Sequence, residues 1–273
     1  MSDETFTSDW LALREPVDHR SRDADLVASL AKWWRSFPSY RVLDLGSGTG
    51  SNLRYLAPRL GEQQEWTLVD RDGALLDRAR GAAVSVAGVA RVERVLGELD
   101  QEGLRLAPSA DLVTASALLD LVTGEWIERL VGACRAAGSA ALFTLTWDGT
   151  MRWDEADPGD ALVADAVRSH QLRDKGLGPA LGPEAGPAAE RLFVAAGYDT
   201  VIRPSPWRLG PETASLARAL VDGWGAAALE QCPNRATSIR AWTERRRAST
   251  ASDFALEVGH VDLLALPPRW EVP

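Results

Sequence analysis

Cysteine is nearly absent from this 273-residue chain, and the two present, Cys134 and Cys232, fit no metal-ligand spacing. No metal site is therefore expected, and both are read as buried thiols. Long basic runs are missing too: none exceeds Arg245 to Arg247, and 30 Lys+Arg against 39 Asp+Glu leave a net charge of −9. Such a chain repels a phosphate backbone, so nucleic acid is not expected as a partner. The first residues, MSDETFTSDW, lack an apolar core, and no stretch approaches 18 consecutive apolar residues, which excludes a signal peptide and a membrane span from the expectation. The chain is read as cytoplasmic. Tyr (3) and Phe (5) are scarce, whereas Trp occurs 11 times. With 45% hydrophobic and 25% charged residues the composition is that of a globular protein, and the length suits one large domain or one domain with an insertion.

Periodicity sets out an α/β chain. An N-terminal helical segment (1–40) contains an amphipathic helix from Leu26 to Ser36, stopped at Phe37-Pro38. Short apolar strands are expected at 41–45, 66–69, 92–96, 111–115 and 140–145, with helices between them. Alternation of this kind implies a three-layer, doubly wound, mainly parallel sheet. Asp157-Pro158 then opens a helix running to Lys175 with Gly176 as its stop. A turn-rich loop (176–187), a helix ending at Gly197 and a strand at 199–204 follow. The segment 205–250 holds two helices, 212–230 and 236–247, expected to form a helical insertion or lid before a last strand near 258–266. Seven strands result, in one domain spanning 1–273.

The segment V-L-D-L-G-S-G-T-G (Val42 to Gly50) ends a strand and opens a helix, the context in which a glycine pattern becomes a ligand site. Free N–H groups at the start of the next helix suit a carboxylate or phosphate. A dinucleotide fingerprint needs Gly or Ala where Ser51 stands, and Asp44 would repel a pyrophosphate. A ligand with an amino group and a sulfonium turns Asp44 into an attractive partner.

S-adenosylmethionine (SAM) is such a ligand, and the chain resembles the class I SAM-dependent methyltransferases over most of its length. The resemblance rests on Asp44 to Gly50, on Asp70 ending the second strand, on Glu98-Leu99 after the third, on the fourth strand D-L-V-T-A-S-A-L-L-D-L-V, and on E-V-G-H-V-D-L-L-A-L-P as an antiparallel last strand. It implies that Asp44 holds the SAM ammonium, that Gly46, Ser47, Gly48 and Gly50 line the methionine part, and that Asp70 takes the ribose hydroxyls. Glu98 would meet the adenine amino group and Leu99 its ring, with Ser116 completing the cofactor set. Two other classes stay open: an NAD-dependent oxidoreductase, and a SAM-fold scaffold without chemistry.

Methyl transfer needs positioning and exclusion of water more than a fixed triad. Acceptor residues should follow the fourth and fifth strands and line the insertions. Asp120 and His170 are the catalytic candidates; His170 extends the stripe Val163, Val167 and Asp174 on its helix. Trp147, Asp148, Arg152, Asp174, Trp207 and Arg208 are the substrate-binding candidates, with Trp147, Trp153 and Trp207 expected in loops near the cleft and Arg173 and Lys175 as further cations. Trp224 and Trp242, at helical spacing, are assigned to packing. Carboxylates beside aromatic faces suit a nitrogen-bearing or aromatic small molecule, methylated on N or O.

Overall fold

The computed structural model describes residues 7–34, 40–174 and 176–268; the expected helix stop at Phe37-Pro38 and the cation Lys175 lie outside them. Two helices come first, α1 (Ser8–Ser21) and α2 (Ala24–Trp34). Then come β1 (Tyr40–Leu45), α3 (Ser51–Leu60), β2 (Gln64–Asp70), α4 (Gly73–Ala83) and β3 (Val89–Leu96). A single turn, α5 (Leu104–Leu106), precedes β4 (Leu112–Ser116), α6 (Gly124–Ala137) and β5 (Ala140–Trp153). The remaining elements are α7 (Asp160–Gln171), α8 (Ala185–Ala195), β6 (Asp199–Pro204), β7 (Trp207–Leu209), α9 (Ala214–Gln231), α10 (Ala236–Ser249) and β8 (Leu256–Leu266).

The sheet order is β3-β2-β1-β4-β5-β8-β6, with β7 also on β8. Strands β1 to β5 pair in parallel, and β8 runs antiparallel to β5, β6 and β7. Period-two alternation sends successive side chains to opposite faces. Val42, Leu68, Leu112 and Leu142 pack under α2, α3 and α4 with Leu30, Trp34, Leu56 and Leu76. Leu43, Leu45, Val113 and Phe143 pack on the other face with Trp126, Ile127, Leu130 and Phe193 of α6 and α8. Both faces are covered, so the central strands are almost wholly apolar.

Two expectations are corrected. Among the described residues the sheet has eight strands, not seven, and β5 does not stop at Leu145 but runs on to Trp153 against β8. The register slips between Phe143 and Thr146 and between Trp147 and Met151. Leu145 (φ 56) and Gly149 (φ 88) take left-handed backbone at these points, so W-D-G is a bulge inside a strand where a loop was expected. Trp147, Trp153 and Trp207 consequently sit in strands and are buried. They join α7, α9 and α10 in a further apolar cluster with Val163, Leu216, Val221, Ile239 and Trp242. The inserted helices thus fold onto the extended strands, and Trp10 and Val17 of α1 pack into the same cluster.

Candidate functional site

A pocket of about 350 Å³ opens where the carboxyl ends of β1, β2 and β4 meet the chain crossing them. Its floor begins in the glycine turn after β1. Gly48 has φ 52, a left-handed conformation that suits glycine, and a Cβ there would crowd Leu11 of α1 at 3.1 Å. Gly50 (φ 80) starts α3 against Ala79 of α4, where a Cβ would stand at 3.1 Å. Its part is helix packing, and it does not line the pocket.

Asp70, the last residue of β2, accepts hydrogen bonds from the Gly48 N–H at 2.8 Å and the Asp72 N–H at 2.9 Å. One carboxylate therefore ties the glycine turn to the next one and still lines the pocket. Asp44 lies deeper, 1% exposed and beneath the lining. Its Oδ1 accepts from Asn52 Nδ2 at 2.7 Å, while Oδ2 has no partner. Burial, with Asp70 adding to it, pushes the Asp44 carboxyl up to about 7, although Asn52, Arg22 and Ser47 pull the other way.

Of the residues expected to bind a cofactor, Gly46, Ser47, Gly48, Asp70, Glu98, Leu99 and Ser116 all line this one pocket. The acceptor candidates are dispersed. His170 meets Glu230 Oε2 at 3.1 Å, inside the α7 and α9 packing. Asp174 accepts from the N–H groups of Gly176 and Gly178 and shapes the loop after α7. Asp148 accepts from the Thr150 N–H within the bulge. Arg152 and Arg208 both pair with Glu257 of β8. Trp147 and Trp207 are enclosed as described, and Asp120 is buried in the short turn (119–121) between Leu118 and Val122. None of these eight residues is in the pocket wall, and neither is any residue of 205–250.

The expected lid is replaced by α1 and by Gly176 and Leu177. Leu11, Arg14 and Asp18 of α1 line the pocket. Arg14 Nε donates to Asp18 at 2.8 Å and its guanidinium lies 4.9 Å from the Trp207 ring centroid. Glu15 holds Arg54 of α3 at 2.7 and 2.5 Å, and His19 Nε2 lies 3.0 Å from the Ser51 hydroxyl. The sequence signals for this cap were a Thr7 N-cap and the i,i+4 pairs Arg14/Asp18 and Glu15/His19. Asn52 also lines the pocket and Arg22 reaches it from below, and neither carried a sequence signal: Arg22 lies between Ser21 and Asp23, Asn52 between Ser51 and Leu53.

Residues 42–138, which contain the glycine turn, Asp70, Glu98 and Ser116, match the methyltransferase domain family. Over that segment the chain is similar to a methyltransferase domain. No curated protein matches the chain. A cyclopropane-fatty-acyl-phospholipid synthase-like protein from Lactobacillus casei is 13% identical, over 96% of this chain and 94% of its own, with a TM-score of 0.57. A Bacillus halodurans protein is 14% identical over 89% and 99%, with a TM-score of 0.52. These two share the fold of the methyltransferase domain. A Geobacter sulfurreducens SAM-dependent methyltransferase, solved in complex with S-adenosyl-L-homocysteine, is 19% identical over 96% and 99%, with a TM-score of 0.46.

Proposed function

We propose that the chain methylates a small molecule on nitrogen or oxygen, one that bears nitrogen or an aromatic ring. The observation that supports it most is the buried Asp44 with its unpartnered Oδ2 under a glycine turn whose Gly48 N–H is already taken by Asp70. A cationic amine would find a partner in that carboxylate, whereas a pyrophosphate would meet two carboxylates. The donor group supplies an electrophilic methyl on a positively charged sulfur. Asp44 would hold its ammonium, Asp70 the ribose hydroxyls, and Glu98 with Leu99 the adenine.

The pocket is also lined by Leu11, Leu118, Leu121, Val122 and Leu177, with Arg14, Asp18 and Ser116 among its polar groups. Apolar walls exclude water and suit a flat acceptor, while the Arg14–Asp18 pair can orient a polar substituent. Neither Asp120 nor His170 lines the pocket, so positioning is proposed to carry the reaction without either as base. His170→Ala should therefore leave kcat on the true acceptor within about twofold of wild type; a hundredfold loss, the scale of a missing base, would restore it to the site.

Calorimetric titration with S-adenosylhomocysteine tests the donor reading; absence of binding at millimolar ligand in the folded protein would refute it. The same titration carries a pH signature. Because the Asp44 carboxyl is raised to about 7, its ionised form is lost as pH falls through that value. Binding of an ammonium should weaken about tenfold per pH unit below pH 7 and level off above it, until the ligand's own amine deprotonates. A flat profile between pH 5.5 and 7.5, bounds set about 1.5 and 0.5 units either side of that value, would remove Asp44 from the contact.

A further inference from the structure

We propose that Arg22 is a positioning residue of the donor site, acting through Asn52 to hold Asp44 ionised and aimed, and thereby making the corner between α1 and α2 part of the ligand-binding machinery. The proposal rests on the reading of Asp44 as the ammonium acceptor.

Arg22 occupies the C-cap of α1, is only 5% exposed, and extends down to the floor of the pocket. One guanidinium nitrogen donates to Asn52 Oδ1 at 2.8 Å and another to Ser116 Oγ at 3.0 Å. The Asn52 amide is fixed by what surrounds it. Its Nδ2 faces Asp44 Oδ1 at 2.7 Å and Thr114 Oγ1 at 3.1 Å, and Thr114 spends its own proton on the Leu142 carbonyl. Only one amide orientation gives every group a partner of the right kind: Arg22 donates to Asn52, and Asn52 donates to Asp44. The relay ends on a buried carboxylate whose second oxygen has no hydrogen-bond partner.

The corner is pinned a second time. The Asp23 N–H donates to Asp262 Oδ2 at 2.9 Å, and Asp262 also accepts from the Leu145 N–H and the Ser205 hydroxyl, at 2.7 and 2.6 Å. Asp23 in turn caps α2 through the Leu26 N–H. The end of α1, whose residues Leu11, Arg14 and Asp18 roof the pocket, is thus fastened to β5, to β8 and to the segment after β6. Around Asp44 the charged groups are Arg22 and Asp70; around Arg22 they are Asp18, Asp44 and Asp262, with the Tyr55 ring 4.6 Å from the guanidinium. A buried cation among carboxylates favours their ionised forms, so Arg22 opposes the burial that protonates Asp44.

The experiment is S-adenosylhomocysteine binding by calorimetry as a function of pH, for wild type, Arg22→Met, Arg22→Lys and Asn52→Leu, each first shown to be folded by near-UV circular dichroism. Arg22→Met should move the acid limb of binding up by about one pH unit, so that affinity at pH 7 falls about fivefold or more. Arg22→Lys keeps the charge and should keep the limb, losing some affinity at every pH because an ammonium lacks the fork that reaches both Asn52 and Ser116. Asn52→Leu, which leaves Arg22 in place and removes the bridge, should also raise the limb. A role confined to stability would lower affinity without moving the limb in any variant, and that result overturns the proposal. Should Arg22→Met fail to fold, an unmoved limb in Asn52→Leu overturns it alone. Absence of ligand binding by the wild type is a different result, because it refutes the donor reading itself.

Discussion

Asp70→Ala is expected to weaken S-adenosylhomocysteine binding by at least about a hundredfold, the largest effect at any single pocket residue. A charged acceptor contributes about 1.5 to 3 kcal/mol per hydrogen bond, and two ribose hydroxyls would be lost together. The damage extends further, because the same carboxylate receives the Gly48 and Asp72 N–H groups. Without it the glycine turn loses its tie to the end of β2, and the main-chain surface that faces the ligand is no longer preorganised. Asp70→Asn, which keeps one acceptor oxygen, should fall between. Calorimetry on folded variants reads the result, and a dissociation constant within about threefold of wild type for Asp70→Ala would contradict both roles, since even one charge-assisted bond exceeds that.

The second large effect is on stability. Arg246 of α10 is 4% exposed and packs its guanidinium 4.3 Å from the Trp153 ring centroid. It donates to both oxygens of Asp160, at the start of α7, and to the Glu155 carbonyl, while Trp242 Nε1 donates to Asp160 Oδ1 at 2.8 Å. Removing one partner of such a pair leaves a buried charge uncompensated, which costs roughly 3 to 5 kcal/mol, toward the low end here because Asp160 is partly exposed. Asp160→Ala should lower Tm by about 6 to 12 °C. Adding Arg246→Met should recover part of the loss by removing the orphaned charge. Ligand affinity should be unchanged, since none of these residues lines the pocket. A single-variant shift under about 2 °C would show that water compensates the guanidinium, contrary to its burial.

The part of the pocket around the glycine turn was legible because its pattern is local. A strand, a glycine turn and an acid at the next strand end are short-range patterns, and Gly46, Gly48, Asp70 and Ser116 line one pocket with Asp44 buried beneath it. The roof was not legible for the same reason. Helix α1 has no apolar stripe, carries Pro16 in its interior, and is held by Glu15–Arg54, His19–Ser51 and Arg22–Asn52, contacts between residues 30 to 39 positions apart. The misreading of Trp147, Trp153 and Trp207 has a different cause. Asp148-Gly149 is a turn signal taken alone, but β8 offers a continuous antiparallel partner across it, and pairing overrides the local preference by forming a bulge. Once those tryptophans are strand residues, the inserted helices have an apolar surface to cover, and their burial follows.

The position of β8 also fixes an order of assembly. As the chain leaves the ribosome, β2 finds β1, β3 finds β2, β4 finds β1 and β5 finds β4, so each new strand meets an edge already made. Strands β6 and β7 find none: both pair only with β8, whose residues emerge about fifty positions later. Until then the outer edge of β5 and the apolar side of the inserted helices stay exposed, a nascent form open to chaperones and to aggregation. Insertion of β8 then closes both at once, and its long-range pairing makes it the expected slow step of folding.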